Sequence, residues 1–163
     1  MPTMSINDPP DDVDTYRRYA PDLIRYATAL VGPADAPDVV SDAVLAAFGS
    51  PGWPAVDNRR AYLYRAVLTR ASSHHRSSAR RRRRERVVAL RDVRSQQEAP
   101  PTDAVDAHRA LAQLSEQQRA VVYLTYWEDL QPAQIATLLH VTEGTVRKQL
   151  ARARDRLRRI LDA

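Results

Sequence analysis

Arg147, Lys148, Arg152 and Arg156 all stand off one apolar stripe, formed by Val146, Leu150, Ala153, Leu157 and Ile160 in steps of four and three residues. That period predicts one long helix, with the stripe buried and the cations on another face. Arg and Lys in this setting can pair with guanine edges and with phosphates in a DNA major groove. The bland alternative is a solvated basic helix in an all-α domain. What lies upstream favours DNA. Residues 130–139 predict a short helix, with Pro132 in its first turn, where a missing N–H is harmless, and Ile135, Leu138 and Leu139 on one face. Residues 140–144 predict a tight turn in which Thr142 caps the second helix. The pair is a helix-turn-helix.

Other reactive groups are less persuasive. Ser72-Ser73-His74-His75 contains hydroxyls beside imidazoles. Consecutive residues on a helix point in different directions, and a nucleophile also needs a positioned acid and an oxyanion site. Adjacent histidines do not easily share a tetrahedral zinc site, and the chain has no cysteine. No catalytic site, metal or cofactor is expected. Trp53 and Trp127 read first as packing residues, with Trp53 the better candidate to meet a base because it lies in a loop beside a basic helix.

Charge is distributed unevenly along the 163 residues. Residues 1–42 carry a net −5, residues 59–94 a net +11 and residues 144–163 a net +5. Two separate basic blocks predict two contacts with a polyanion, driven by phosphate neutralisation and counterion release. The acidic first block would be repelled by DNA and suits a protein partner. Lys148 is the only lysine; the preference for Arg suits bidentate contacts. The apolar runs are too short to span a bilayer and no signal-peptide pattern opens the chain, so no membrane contact and a cytoplasmic location are expected.

Helical periodicity dominates and β-type alternation is scarce, so the fold class is all-α. Helices are predicted from about Asp14 to Val31, with Tyr16, Tyr19, Leu23, Ala27 and Leu30 inward, and from about Ala36 to Phe48, with Asp35 as cap and Val40, Ala43, Val44 and Ala47 inward. A breaker-rich loop, residues 49–54, precedes a third helix that starts near Asp57 or Asn58 and runs into Arg80–Arg84. Ser115 and Gln118 form a capping box before a further helix. The expected plan is a disordered tail over 1–12, a helical domain over 13–86, a flexible linker over 87–103 and a helix-turn-helix domain over 104–163.

With these residues placed, the chain resembles the bacterial extracytoplasmic-function (ECF) sigma factors. The first domain is similar to sigma region two at residues 16–23, 34–43 and 60–65. The second is similar to region four at residues 114–119, 143–147 and 151–154. The resemblance implies binding to core RNA polymerase and promoter-specific initiation. It implies that the second helix, through Asp38, Val39, Ser41 and Asp42, docks on the clamp-helices coiled coil of the β′ subunit, and that the β flap is a further contact. It implies that Trp53, Asn58, Tyr62, Tyr64, Arg65, Thr69 and Arg76 hold the melted minus-ten strand. It implies that Thr145, Arg147, Lys148, Ala151 and Arg152 read the minus-thirty-five duplex. An anti-sigma protein is a further implied partner. The chain departs from its relatives in having Thr69 for a common Asn, Tyr62 for Trp, Ser41 for Gln and His140 for a turn Gly. The rival reading is a stand-alone helix-turn-helix regulator that binds operators as a dimer; it leaves the first hundred residues unexplained.

Overall fold

The computed structural model describes residues 11–89 and 109–163, with side chains described except at 86–89. Every regular element among them is helical: α1 (Asp12–Val31), α2 (Ala36–Phe48), a single 3-10 turn (Trp53–Ala55), α3 (Arg59–Ala89), α4 (Glu116–Tyr126), α5 (Pro132–Leu139) and α6 (Glu143–Leu161). Of the expected tail, residues 1–10 lie outside the described residues; of the expected linker, so do residues 90–103. Residue 12 and residues 87–89 are helical.

Helices α1, α2 and α3 pack on one another around Leu23, Ala27, Leu30, Val40, Ala43, Val44, Ala47, Leu63 and Val67. The α2 stripe is the one its periodicity predicts. In α1 the register differs in part: Tyr16 is 38 % exposed, and Tyr26 is fully buried instead. Tyr26 faces inward because α3 and α4 both bring an aromatic ring to it. Its ring lies 4.8 Å from Tyr64 and 5.6 Å from Tyr123, centroid to centroid.

The local signals mostly act as their chemistry dictates. The Ser115 hydroxyl accepts from the Gln118 N–H at 3.2 Å, while the Gln118 side chain accepts from the Ser115 N–H at 3.2 Å. Thr142 accepts from the Thr145 N–H at 3.1 Å and starts α6. Asn58 accepts from the Ala61 N–H at 3.0 Å and starts α3. Asp35 is the exception: it makes no capping bond and lies 3.1 Å from His74 Nε2.

The two helical groups share a core. Helix α1 packs on α4, and α3 packs on both α4 and α5. The buried cluster runs without a break from Leu23 through Tyr26, Tyr64 and Tyr123 to Val146.

Candidate nucleic-acid interface

Helix α6 is the simplest surface. Val146, Leu150 and Ala153 are buried and anchor it against α4 and α5. Arg147, Lys148, Ala151 and Arg152 are all exposed, and Thr145 is half-buried with its hydroxyl 2.8 Å from that of Thr142. The Arg147 side chain is 67 % exposed and pairs with Glu143 one turn earlier. An exposed i, i+4 pair holds a guanidinium weakly, so Arg147 remains available to a ligand. The turn before α6 closes on His140, which takes a left-handed conformation, φ 56°, at the C-cap of α5. Its own backbone N–H donates to the Ala136 carbonyl there.

Helix α3 and the loop before it form a second basic surface. Arg70, Arg76 and Arg80–Arg84 are exposed, and Arg59, Arg60 and Arg65 are half-buried. Tyr62, Arg65, Thr69 and Arg70 line an open groove of about 390 Å³ against Ala43 and Ala47 of α2. Arg65 lies over the Tyr62 ring at 5.9 Å. Asn58, Arg59 and Arg60 line a second hollow with Tyr19 on the other side of the helix start.

Three residues expected at contact surfaces lie inside instead. Trp53 is only 2 % exposed; its ring packs on Phe48 and Tyr62, its Nε1 donates to Asp12 Oδ1 at 2.8 Å and Arg59 lies over it at 4.9 Å. A ring so enclosed shapes the loop. Tyr64 has no exposed surface, because α4 and the α4–α5 connection cover it. Burial, and then the Glu128 carboxylate, raise the pKa of its hydroxyl well above the ordinary tyrosine value, so it stays a donor. Val39 is buried in the α2 stripe.

Asp38, Ser41 and Asp42 lie on the exposed face of α2, and that face gains a residue that the charge pattern did not flag. Leu45 follows one turn after Ser41 and Asp42 and is 70 % exposed. An apolar side chain at i+3/i+4 from two surface positions was the available signal. His74 and His75 are engaged structurally, His74 with Asp35 and His75 with the Leu30 carbonyl at 2.8 Å.

The pattern of Sigma-70 region 2 matches residues 15–82, which span α1, α2 and most of α3. That of Sigma-70 region 4 matches residues 104–157, which include α4, α5 and most of α6. The chain belongs to the ECF sigma factors of the sigma-70 family. It is 34 % identical to the RNA polymerase sigma-E factor of Streptomyces coelicolor, over 86 % of this chain and 80 % of that one. It is 35 % identical to the ECF RNA polymerase sigma factor SigL of Mycobacterium tuberculosis, over 83 % and 80 % respectively.

In fold this sigma factor matches the sigma factor RpoE solved with the anti-sigma factor NepR from Bartonella quintana, with a TM-score of 0.63 at 23 % identity over 93 % of this chain and 96 % of that one. It also matches CnrH solved with the cytosolic domain of CnrY, with a TM-score of 0.62 at 23 % identity over 93 % and 87 %. As a sigma factor the protein directs promoter-specific transcription, with core RNA polymerase and promoter DNA as partners. The operator-binding alternative finds no support, since region two fills the half it left unexplained. No helix among the described residues is long and apolar enough to cross a membrane.

Proposed function

We propose that this sigma factor divides its work among three surfaces. Helix α6 reads the minus-thirty-five duplex, with Arg147, Lys148 and Arg152 on base edges and phosphates and with Thr145 and Ala151 at the groove floor. The α3 groove holds the melted minus-ten strand: Tyr62 offers a ring to an unpaired base, Thr69 a hydroxyl, Asn58 the turn beneath, and Arg65, Arg70 and Arg76 follow the phosphates. Trp53 and Tyr64 support that groove from below. The α2 face, Asp38, Ser41, Asp42 and Leu45, docks on a basic coiled coil of core polymerase, the β′ clamp helices, with the β flap meeting region four. Carboxylates there speed encounter and fix register, and Leu45 supplies the apolar anchor. An anti-sigma partner belongs to this reading, since the RpoE that the chain matches in fold was solved with the anti-sigma factor NepR.

The observation that carries the proposal is the division of charge over exposed helix faces: cations on α6 and the distal half of α3, carboxylates on α2. Photo-crosslinking in the initiation complex tests it. A crosslinker at Thr69 is expected to label the non-template strand near minus ten, one at Ala151 the duplex near minus thirty-five, and one at Leu45 the polymerase. Polymerase label from Ala151, or duplex label from Leu45, would overturn the assignment.

A further inference from the structure

An apolar hollow and a buried cation meet where α1 packs on α4. The hollow has a volume of about 300 Å³ and is walled by Ile24, Ala29, Leu111, Val122, Tyr123 and Trp127. That volume lies at the lower end of the range for small-ligand pockets, about 300–1,000 Å³. Trp127 forms its solvent edge. It is 70 % exposed, and its ring stacks on Tyr123 with 6.1 Å between centroids and 8° between planes. A large aromatic side chain left in water beside an apolar hollow marks a surface fit for a ligand. None of the three proposed surfaces uses it.

A second hollow, of about 240 Å³, shares Ala29, Leu111 and Arg119 with the first. Its walls are polar, with His75 and Arg82 of α3 beside Arg119 of α4. Arg119 is 9 % exposed. It donates from Nη1 to the Leu30 carbonyl and from Nε to the Leu114 carbonyl at 3.1 Å. Its Nη2 has no hydrogen-bond partner, and the guanidinium has no ion-pair partner, among the described residues. Carbonyl dipoles satisfy donors without cancelling the charge, and a buried charge is costly until it is paired. Burial pulls the Arg119 pKa down, while Glu116 opposes the shift. Glu116 lies 4.0 Å from His75. With the imidazole uncharged, Arg82 and Arg119 against Glu116 leave one net positive charge at this end. Arg25 also borders the apolar hollow, but it is exposed and already paired with Asp22.

We propose that the two hollows together bind a small amphiphilic carboxylate, a medium-chain fatty acid in chemical class, with its tail against Tyr123 and Trp127 and its head group on Arg119 and Arg82. One net positive charge suits a monoanion. A guanidinium fork meets a carboxylate through two parallel hydrogen bonds, which supplies the partner that Arg119 lacks. The apolar walls take the tail out of water and cover the exposed face of Trp127. Such a ligand touches α1, α3 and α4 at once, so it binds only the folded chain and stabilises it.

Trp127 is a built-in reporter. Decanoate, kept below its micelle concentration, is titrated into the full chain while tryptophan emission is followed, with calorimetry as a second readout and decanol as the uncharged probe of equal length. A saturable emission change is expected with decanoate. Trp127→Phe is expected to lose the emission change and still bind by calorimetry. Decanol is expected to bind roughly tenfold more weakly, for want of the charged head. Ala29→Leu fills the space the two hollows share and is expected to weaken decanoate by roughly tenfold or more. Arg82→Gln, at an exposed position that leaves the fold intact, is expected to weaken it roughly threefold. Arg84→Gln removes an exposed charge that borders neither hollow and is expected to change nothing. No saturable binding by either readout would overturn the site. So would an emission change that survives in Trp127→Phe, since it would place the ligand elsewhere. Decanol binding as tightly as decanoate, or equal losses in Arg82→Gln and Arg84→Gln, would overturn the head-group assignment. Binding of an amphipathic peptide at Trp127 with none of decanoate would make the junction a protein-docking surface instead.

Discussion

Helices α3 and α6 both carry rows of arginine, yet the structure presents them differently. On α6 Arg147, Lys148, Ala151 and Arg152 stand exposed, and the only ion pair among them is the short-range pair of Arg147 with Glu143. On α3 part of the expected set is engaged, since Tyr64 is buried and meets Glu128 and Arg65 meets the Leu138 carbonyl, while Thr69 and Arg76 stay exposed. The difference matches what each is proposed to bind. Duplex DNA exists before the polymerase acts, and a rigid exposed helix can meet it directly. A melted strand exists only once the duplex opens, and the α3 surface proposed for it is partly engaged by the protein's own groups.

The largest expected effect lies on the surface of opposite sign. Asp38→Lys with Asp42→Lys places like charge against a basic coil, at a cost of about 3 kcal/mol or more in association. Pull-down with core polymerase is expected to lose the complex while circular dichroism keeps the helical content. Retained binding at moderate salt would remove α2 from the three-surface scheme.

Alkaline pH separates the covered region from the open one. Tyr26, Tyr64 and Tyr123 all have raised pKa values, each chiefly through burial. The neighbouring Glu128 and Asp22 push Tyr64 and Tyr123 further up, against Arg60 and Arg25 respectively. The folded state therefore keeps these protons where the unfolded chain releases them. Stability is level below about pH 10 and falls above it, by up to about 1.4 kcal/mol per pH unit for each tyrosine. Thermal melts from pH 8 to 11 check this; a flat profile would mean that the three rings open freely to water.

On the open side, Arg147→Ala and Lys148→Ala are each expected to cost about 1–3 kcal/mol in duplex binding and to relax the selected minus-thirty-five sequence. Variants that select the parental sequences would show that other side chains read the bases. At the centre of the covered side, the Tyr26 hydroxyl is buried with no hydrogen-bond partner among the described residues. Tyr26→Phe removes that unmet group and is expected to stabilise the fold by about 1 kcal/mol, read as a higher denaturant midpoint. The smallest effect belongs to the turn. His140 has φ 56°, which glycine adopts without steric cost, so His140→Gly is expected to change stability by less than about 1 kcal/mol in the stabilising direction.

Legibility in the sequence followed the range of the interaction. The caps at Ser115 and Thr142, the α2 stripe and the α6 stripe depend on residues a turn or two apart, and periodicity placed them. Trp53 reads as a loop aromatic until Asp12, 41 residues earlier, takes its N–H. Tyr26 replaces Tyr16 inside because Tyr123 arrives from the other half of the chain. Val39 and Tyr64 sit on sequence positions that the family pattern marks for contact, and only packing shows them buried. The Glu128–Arg60 contact joins residues 68 apart across two regions, and no local signal announces it.

The contrast between the open duplex reader and the covered strand reader is tested most directly by run-off transcription with core polymerase on two templates, one fully duplex and one pre-melted across the minus-ten element. The account predicts that Arg65→Ala with Thr69→Ala lowers transcription on the duplex template and recovers in part on the pre-melted one, where opening no longer limits the rate. Arg147→Ala with Lys148→Ala is expected to stay defective on both, because minus-thirty-five recruitment is unchanged by melting. Recovery of the α6 variant on the pre-melted template, with none for the α3 variant, would contradict the division of labour.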